Sequence, residues 1–147
     1  MASVVQTLQS ILGSRPSPSG PGRVLIVDDE PSVREFLVRA LRAAGYDAMV
    51  AENGEDALSV ASRTGGFDLL LTDLMMPRMR GDELARQMRQ HQPTLKVLYL
   101  TGYSDRLFAE KSVLWTDEAF LEKPCSLNGL LEAVTLLMCG RLRSGPA

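Results

Sequence analysis

The sequence has few of the side chains from which redox centres and soft-metal sites are built, with two cysteines and one histidine in 147 residues. Cys125 and Cys139 form no Cys-x-x-Cys pattern, so we expect separate thiols, buried or idle, rather than a redox pair or a metal site. His91 precedes a Gln-Pro pair near a predicted helix end, which favours a solvated surface histidine over a catalytic one. Any chemistry must therefore be sought among other side chains.

The chain also lacks a surplus of positive charge and any long apolar run. Its 16 basic and 18 acidic side chains nearly cancel, so direct binding to a nucleic-acid backbone is not expected. No apolar stretch approaches the roughly 20 residues of a membrane span and no secretion signal is visible, so we expect a cytoplasmic protein without membrane contact. Walker-type and Gly-x-Gly-x-x-Gly phosphate loops are absent, which argues against an NTPase or a dinucleotide enzyme.

Composition divides the chain into one domain and two tails. Residues 1–22 contain two segments. VVQTLQSIL is too short to be a stable helix alone, and the GSRPSPSGPG that follows it is rich in Gly, Ser and Pro. We interpret residues 1–22 as a flexible tail and linker, residues 23–139 as the domain and residues 140–147 as a C-terminal tail. A chain of 16.1 kDa with 45% hydrophobic residues can bury one good core but not two.

Short apolar runs alternate with helical patterns throughout the domain. The runs predict five strands, at residues 24–27, 47–51, 68–72, 96–101 and 119–122. Helical spacing predicts five helices, at about residues 31–45, 55–63, 81–91, 105–112 and from 126 onward. Continuous apolar strands separated by amphipathic helices are typical of an α/β fold with a doubly wound, five-stranded parallel sheet, which we expect in the order 2-1-3-4-5.

Two details of the helices are predicted from the same pattern. Asn53 and Ser126 precede helical segments and are expected to cap them, because their side-chain oxygens can accept from free backbone N–H groups. The first helix is expected to bury one face, made of Val33, Phe36, Leu37, Ala40, Leu41 and Ala44.

Polar side chains stand at the carboxyl ends of the predicted strands, the edge along which such sheets bind ligands. They are Asp28 and Asp29 after strand one, Asp73 after strand three, Thr101 at the end of strand four and Lys123 after strand five. Each alone has an ordinary explanation as a helix cap or a surface charge.

Together these residues raise an electrostatic problem. Strands one and three are neighbours in the expected order, so Asp28, Asp29 and Asp73 would lie within a few ångströms, where like charges destabilise the fold unless they share a cation. Mg²⁺ prefers oxygen ligands and often binds through one or two carboxylates together with phosphate oxygens. With Lys123 as a second positive charge, the set favours a Mg²⁺ site beside a space suited to a phosphoryl group.

Four blocks in register resemble the receiver domain of two-component response regulators. They are VLIVDDE, LLLTDLMMPRMRGDEL, VLYLTGYS and FLEKP, and the resemblance covers about residues 23–139. It implies a flavodoxin-like receiver fold. It also implies phosphorelay signalling, in which the domain accepts a phosphoryl group from a phosphohistidine of a sensor kinase or phosphotransfer protein and then switches a protein-binding surface.

The resemblance assigns the metal and acceptor residues position by position. Asp73 matches the phosphoacceptor aspartate. Asp29 matches the direct Mg²⁺ ligand, Asp28 the acidic neighbour that holds the ion largely through water, and Met75 the residue whose backbone carbonyl completes the protein ligands.

The resemblance also assigns the residues that respond to the modification. Thr101 matches the hydroxyl that bonds the phosphoryl oxygen, Lys123 the lysine that pairs with it, and Phe120 the aromatic switch residue. Pro124 is expected in a cis bond, as in the family. Tyr103 is bulky for its place beside the site, and we hypothesise that it slows hydrolysis of phosphorylated Asp73, so that Tyr103→Ala would dephosphorylate faster.

Two other functions compete with this one. A Mg²⁺-dependent phosphatase with an aspartate nucleophile typically has a second aspartate two residues later, a place that Met75 takes here. A receiver-like interaction module that is never phosphorylated would not need the full set of site residues. We therefore expect an acceptor domain with autodephosphorylation at most, not a turnover enzyme, acting as a monomer or a phosphorylation-dependent dimer. The linker and the TGYS and FLEKP blocks look like those of receivers in hybrid sensor kinases, while the chain length favours a single-domain protein.

Overall fold

Strands and helices alternate along the chain in a computed structural model, which describes residues 22–102 and 117–139. The elements are β1 (Arg23–Val27), α1 (Pro31–Ala43), β2 (Asp47–Ala51), α2 (Gly54–Thr64), β3 (Leu69–Asp73), α3 (Gly81–Arg89), β4 (Lys96–Thr101), β5 (Glu118–Glu122) and α4 (Leu127–Cys139). The helix predicted at 105–112 and the hypothesis on Tyr103 lie outside the described residues. No helix within the described ranges has the length and apolar character needed to cross a bilayer.

The five strands form one parallel sheet in the order β2-β1-β3-β4-β5, which confirms the predicted fold. Val27 pairs with Thr72 across β1 and β3, so the residues that follow them, Asp28 and Asp73, stand side by side. Because all strands run the same way, the ends of β4 and β5 come to the same edge of the sheet.

Helices cover both faces of the sheet, which explains why its strands are continuously apolar. Val24 and Ile26 point into one core cluster with residues of α1 and α4, whereas Leu25 and Val27 point into the other with residues of α2 and α3. Every residue of β3 is buried. Full burial of a leucine or isoleucine side chain stabilises the fold by about 1.5–3 kcal/mol, so these two clusters hold the strand ends in place.

Both predicted helix caps are confirmed. The side chain of Asn53 accepts from the backbone N–H of Asp56 at 2.8 Å, at the start of α2. The hydroxyl of Ser126 accepts from the backbone N–H of Gly129 at 2.9 Å, at the start of α4. Each bond satisfies a backbone donor that the first turn of a helix leaves without an internal partner.

Three sequence predictions need correction. The buried face of α1 is narrower than predicted, because only Leu37, Ala40 and Leu41 are buried, while Ala44 is exposed and Phe36 is 39% exposed. Strand β3 runs one residue further than predicted, through Asp73. Helix α3 ends two residues early, at Arg89.

Candidate functional site

Three carboxylates meet at the carboxyl edge of the sheet. Asp28 and Asp29 follow β1 directly and Asp73 is the last residue of β3, and one oxygen from each lies within 4.8 Å of the others. The β1–β3 register brings them together. The structure thus places the three predicted acidic residues in one cluster.

Asp28 is fully buried, and both its side chain and its backbone accept hydrogen bonds. Its Oδ1 accepts from the backbone N–H of Glu30 at 2.9 Å, and its carbonyl oxygen accepts from Arg34 at 2.7 Å. Its buried Oδ2 has no hydrogen-bond partner among the described residues. The ammonium of Lys123 lies 3.1 Å from this oxygen, so the contact between them is an ion pair outside hydrogen-bonding geometry.

Asp73 is almost completely buried, with 6% of its surface exposed. Burial raises the pKa of Asp73 to about 6, Lys123 opposes this rise, and the neighbouring charges of Asp28 and Asp29 add to it. The ammonium of Lys123 lies 3.5 Å from Asp73 Oδ2. A further cation at this edge would favour the ionised, nucleophilic form of the carboxyl group.

Lys123 reaches both carboxylates from the loop after β5. Its backbone N–H donates to the carbonyl oxygen of Thr101 at 2.8 Å, which ties that loop to the end of β4. Burial opposes the charge of Lys123, but the carboxylates of Asp73 and Asp28 outweigh this and raise its pKa. The Lys123–Pro124 peptide bond is cis, as expected.

The remaining predicted residues lie on β4, on β5 and just after β3. Thr101 ends β4 and is 4% exposed. Phe120 lies on β5 opposite Tyr99, half-buried, with the two ring centroids 5.3 Å apart. Met75 lies two residues after the end of β3 and is 44% exposed.

Gly81 makes a contact that the sequence did not reveal. A Cβ atom on this residue would lie 2.4 Å from the carbonyl oxygen of Asp73, and its N–H donates to Leu74 at 2.8 Å. The start of α3 therefore packs directly on the backbone of Asp73. The available signal was a glycine at the first position of a helix whose preceding residue, Arg80, makes no side-chain cap.

The donor set fits a hard divalent cation. Three carboxylates converge, one buried oxygen of Asp28 has no hydrogen-bond partner among the described residues, and all three groups offer oxygen, the ligand that Mg²⁺ prefers. Asp28 and Asp73 are buried, and the single positive charge of Lys123, which contacts both, leaves negative charge in the cluster that such an ion would offset.

A sequence model of the response regulator receiver domain matches residues 24–135. The chain belongs to this family. The receiver domain is 38% identical over 117 residues to "Sensor kinase CckA" of Brucella abortus, covering 79% of this chain and 12% of the kinase. It is 35% identical over 116 residues to "Response regulator receiver protein CpdR" of the same organism, covering 79% of this chain and 96% of CpdR.

Solved structures agree with this membership. The crystal structure of response regulator protein TrrA from Thermotoga maritima, in complex with Mg²⁺-BeF, superposes with a TM-score of 0.68 at 35% identity. The match covers 79% of this chain and 98% of that one.

Membership in the family confirms the predicted function at the level of the domain. The chain is a receiver domain of two-component phosphorelay signalling, and such domains accept phosphoryl groups from histidine kinases or phosphotransfer proteins rather than act as turnover enzymes. Receiver domains bind Mg²⁺ at an acidic pocket, and this chain has an acidic cluster. The phosphatase and the non-phosphorylated module are not favoured.

Proposed function

We propose that Asp73 is the phosphoryl acceptor of this receiver domain. The observation that carries the proposal is the position of its carboxylate, which is buried at a strand end, 3.5 Å from the ammonium of Lys123 and beside two further carboxylates. Phosphoryl transfer depends largely on positioning and charge neutralisation, so this arrangement supplies what the reaction needs.

The transfer follows from the groups present. A carboxylate oxygen of Asp73 attacks the phosphorus of a phosphohistidine, and an O–P bond forms as the P–N bond breaks. The electron pair of the broken bond returns to the imidazole nitrogen, which takes up a proton. Lys123 stands close enough to Asp73 to pair with the phosphoryl oxygens. Mg²⁺, held by Asp28, Asp29, Asp73 and the backbone carbonyl of Met75, would neutralise charge on the transferred group.

The response begins at the neighbouring strand ends. A phosphoryl group adds roughly two negative charges where Asp73 had one. The hydroxyl of Thr101 would bond a phosphoryl oxygen, and the inward shift of its loop would let Phe120 turn inward. Lys123 moves with this loop because its backbone is bonded to Thr101. The result is a changed protein-binding surface.

The wider proposals follow from the same chemistry. The donor is a histidine kinase or a histidine phosphotransfer protein in the cytoplasm, and the acyl phosphate is lost by slow autodephosphorylation. The domain acts on a protein target, as a monomer or a phosphorylation-dependent dimer. The complex of TrrA with Mg²⁺-BeF supports a Mg²⁺-assisted phosphoryl site in this chain.

The test is phosphorylation of the full chain with acetyl phosphate and Mg²⁺, followed by intact-protein mass spectrometry. We expect one added phosphoryl group on the wild type and none on Asp73→Asn. Asp68→Asn is the matched control, because Asp68 is an exposed aspartate just before the same strand, and it should be modified like the wild type. Equal modification of Asp73→Asn would overturn the assignment of the acceptor.

A further inference from the structure

Two aromatic rings face each other across the last two strands. Tyr99 of β4 and Phe120 of β5 are paired in the parallel register, and their ring centroids are 5.3 Å apart at an interplanar angle of 33°. Tyr99 is 3% exposed, whereas Phe120 is only half-buried. Tyr99 is thus the more enclosed ring, and Phe120 rests against it.

A polar clamp fixes the far end of the Tyr99 ring. Its hydroxyl donates to Glu118 Oε2 at 3.2 Å. Arg89, at the end of α3, donates to the same oxygen at 2.5 Å, and the two charged side chains are only 19% and 5% exposed. The guanidinium of Arg89 also donates to the carbonyl oxygen of Leu95 at 3.0 and 2.7 Å.

The clamp joins three elements at one oxygen atom. Glu118 begins β5, Tyr99 belongs to β4 and Arg89 ends α3. Buried hydrogen bonds to a charged group are stronger than those between neutral groups, and leaving one unmade is costly. Burial, together with the neighbouring charge of Glu118, also holds the pKa of Tyr99 above its usual value. The Tyr99 ring is therefore held in one orientation.

We propose that Tyr99 is a positioning residue for the Phe120 switch, and that the Arg89–Glu118 pair sets the Tyr99 ring against which Phe120 rests before phosphorylation. The proposal rests on the function proposed above, in which Phe120 turns inward once Asp73 is modified. The ring contact stabilises the half-buried orientation of Phe120 in the structure, which the proposal takes as the one that Phe120 leaves when it turns inward. If Tyr99 loses its hydrogen bond to Glu118, its ring holds Phe120 less firmly, and less free energy is needed for Phe120 to turn inward. The equilibrium between the two orientations of Phe120 then shifts toward the inward, activated one.

The test follows Phe120 directly by ¹⁹F NMR. 4-Fluorophenylalanine is introduced at position 120 alone by stop-codon suppression, so that a phenylalanine created at another position carries no label. Beryllofluoride with Mg²⁺ serves as the phosphoryl mimic. In Tyr99→Phe, which keeps the ring and removes the hydroxyl, we expect the free-state Phe120 signal to move toward its bound position. We also expect beryllofluoride to bind about threefold to tenfold more tightly, the range that the loss of one hydrogen bond implies.

Two further variants separate positioning from a general loss of stability. Glu118→Gln removes the charge that pairs with Arg89 and should move the Phe120 signal in the same direction. Tyr46→Phe is the matched control, because Tyr46 is a partly buried tyrosine that packs against the core cluster on the other face of the sheet. It should leave both the Phe120 signal and the beryllofluoride affinity unchanged.

The outcomes are distinguishable. If Tyr99→Phe behaves like Tyr46→Phe in both the Phe120 signal and the affinity, the positioning role is wrong while the proposed function stands. If the wild type itself shows no Phe120 response to beryllofluoride, the proposed switch fails and the inference fails with it. A shifted Phe120 signal in Tyr99→Phe and Glu118→Gln, with Tyr46→Phe unchanged, supports the inference.

Discussion

Asp73 is a carboxylate in a place that penalises its charge. It ends a strand whose five residues are all buried, and two other acidic side chains adjoin it. At this scale the sequence was informative, because residues at the carboxyl ends of parallel strands must share one edge. The Gly81 contact and the bonds to Tyr99 could not be predicted, since both depend on distances between elements far apart in the chain.

The raised pKa of Asp73 makes a prediction about stability. The folded pKa of about 6 exceeds the ordinary value of 3.8, so the folded chain holds this proton more tightly than the unfolded chain. The protonated form of Asp73 therefore stabilises the folded chain. This contribution is fully present below roughly pH 4 and is lost as the pH rises through about 6. Without Mg²⁺ at pH 7.5, Asp73→Asn should therefore raise the free energy of unfolding by about 1–3 kcal/mol.

Urea unfolding across a pH series in EDTA measures this effect. The advantage of Asp73→Asn should shrink toward pH 4, where the wild-type carboxyl group is already protonated. Glu132→Gln, which neutralises an exposed carboxylate of α4, is the control. A stability gain at pH 7.5 no larger than that of Glu132→Gln would show that the Asp73 charge is not penalised in the fold.

Gly81 gives a second prediction. An alanine here would place its Cβ 2.4 Å from the Asp73 carbonyl oxygen, so the start of α3 or the acceptor backbone must move. We expect Gly81→Ala to lower the free energy of unfolding by about 1–3 kcal/mol and to slow phosphorylation by acetyl phosphate.

Gly129→Ala is the matched control for Gly81→Ala. Gly129 is also in the first turn of a helix, but among the described residues its added Cβ would come near only a side-chain atom, the Ser126 hydroxyl at 3.1 Å. Urea unfolding and the rate of phosphorylation should both stay near those of the wild type. If Gly81→Ala is phosphorylated by acetyl phosphate as fast as Gly129→Ala, the close packing of α3 on Asp73 does not affect the phosphorylation rate.

The strands and helices were predicted more accurately than the residues at which they begin and end. Apolar runs and helical spacing identified every described strand and helix, because burial on two faces imposes these patterns. The end of α3 was placed too late because its last turn tightens. The N–H groups of Gln90 and His91 donate to carbonyl oxygens three residues back, those of Gln87 and Met88, at 3.2 and 3.1 Å.

The Asn53 cap gives a prediction for one element. Asn53→Ala removes the oxygen that accepts from Asp56, so it should lower the free energy of unfolding by about 1 kcal/mol in urea denaturation. Asn53→Asp keeps an acceptor oxygen and should retain most of the stability. Equal losses in the two variants would mean that the side-chain bond does not stabilise α2.

The fold of the whole molecule followed from the alternation of strands and helices, and the fold in turn assembled the site. A parallel sheet in the order β2-β1-β3-β4-β5 places β3 between β1 and β4. Asp28 therefore lies on one side of Asp73, and Thr101 and Lys123 lie on the other. The exposure of Phe36 was not predicted, because helical spacing alone does not say how wide a stripe the sheet can cover.

Chemical mapping of the modified residue tests the central claim most directly. The full chain is phosphorylated with acetyl phosphate and Mg²⁺, the acyl phosphate is reduced with borohydride, which converts a phosphorylated aspartate to homoserine, and the peptides are sequenced by mass spectrometry. We predict homoserine at position 73 alone. Homoserine at Asp28 or Asp29 with unchanged aspartate at position 73 would contradict the account.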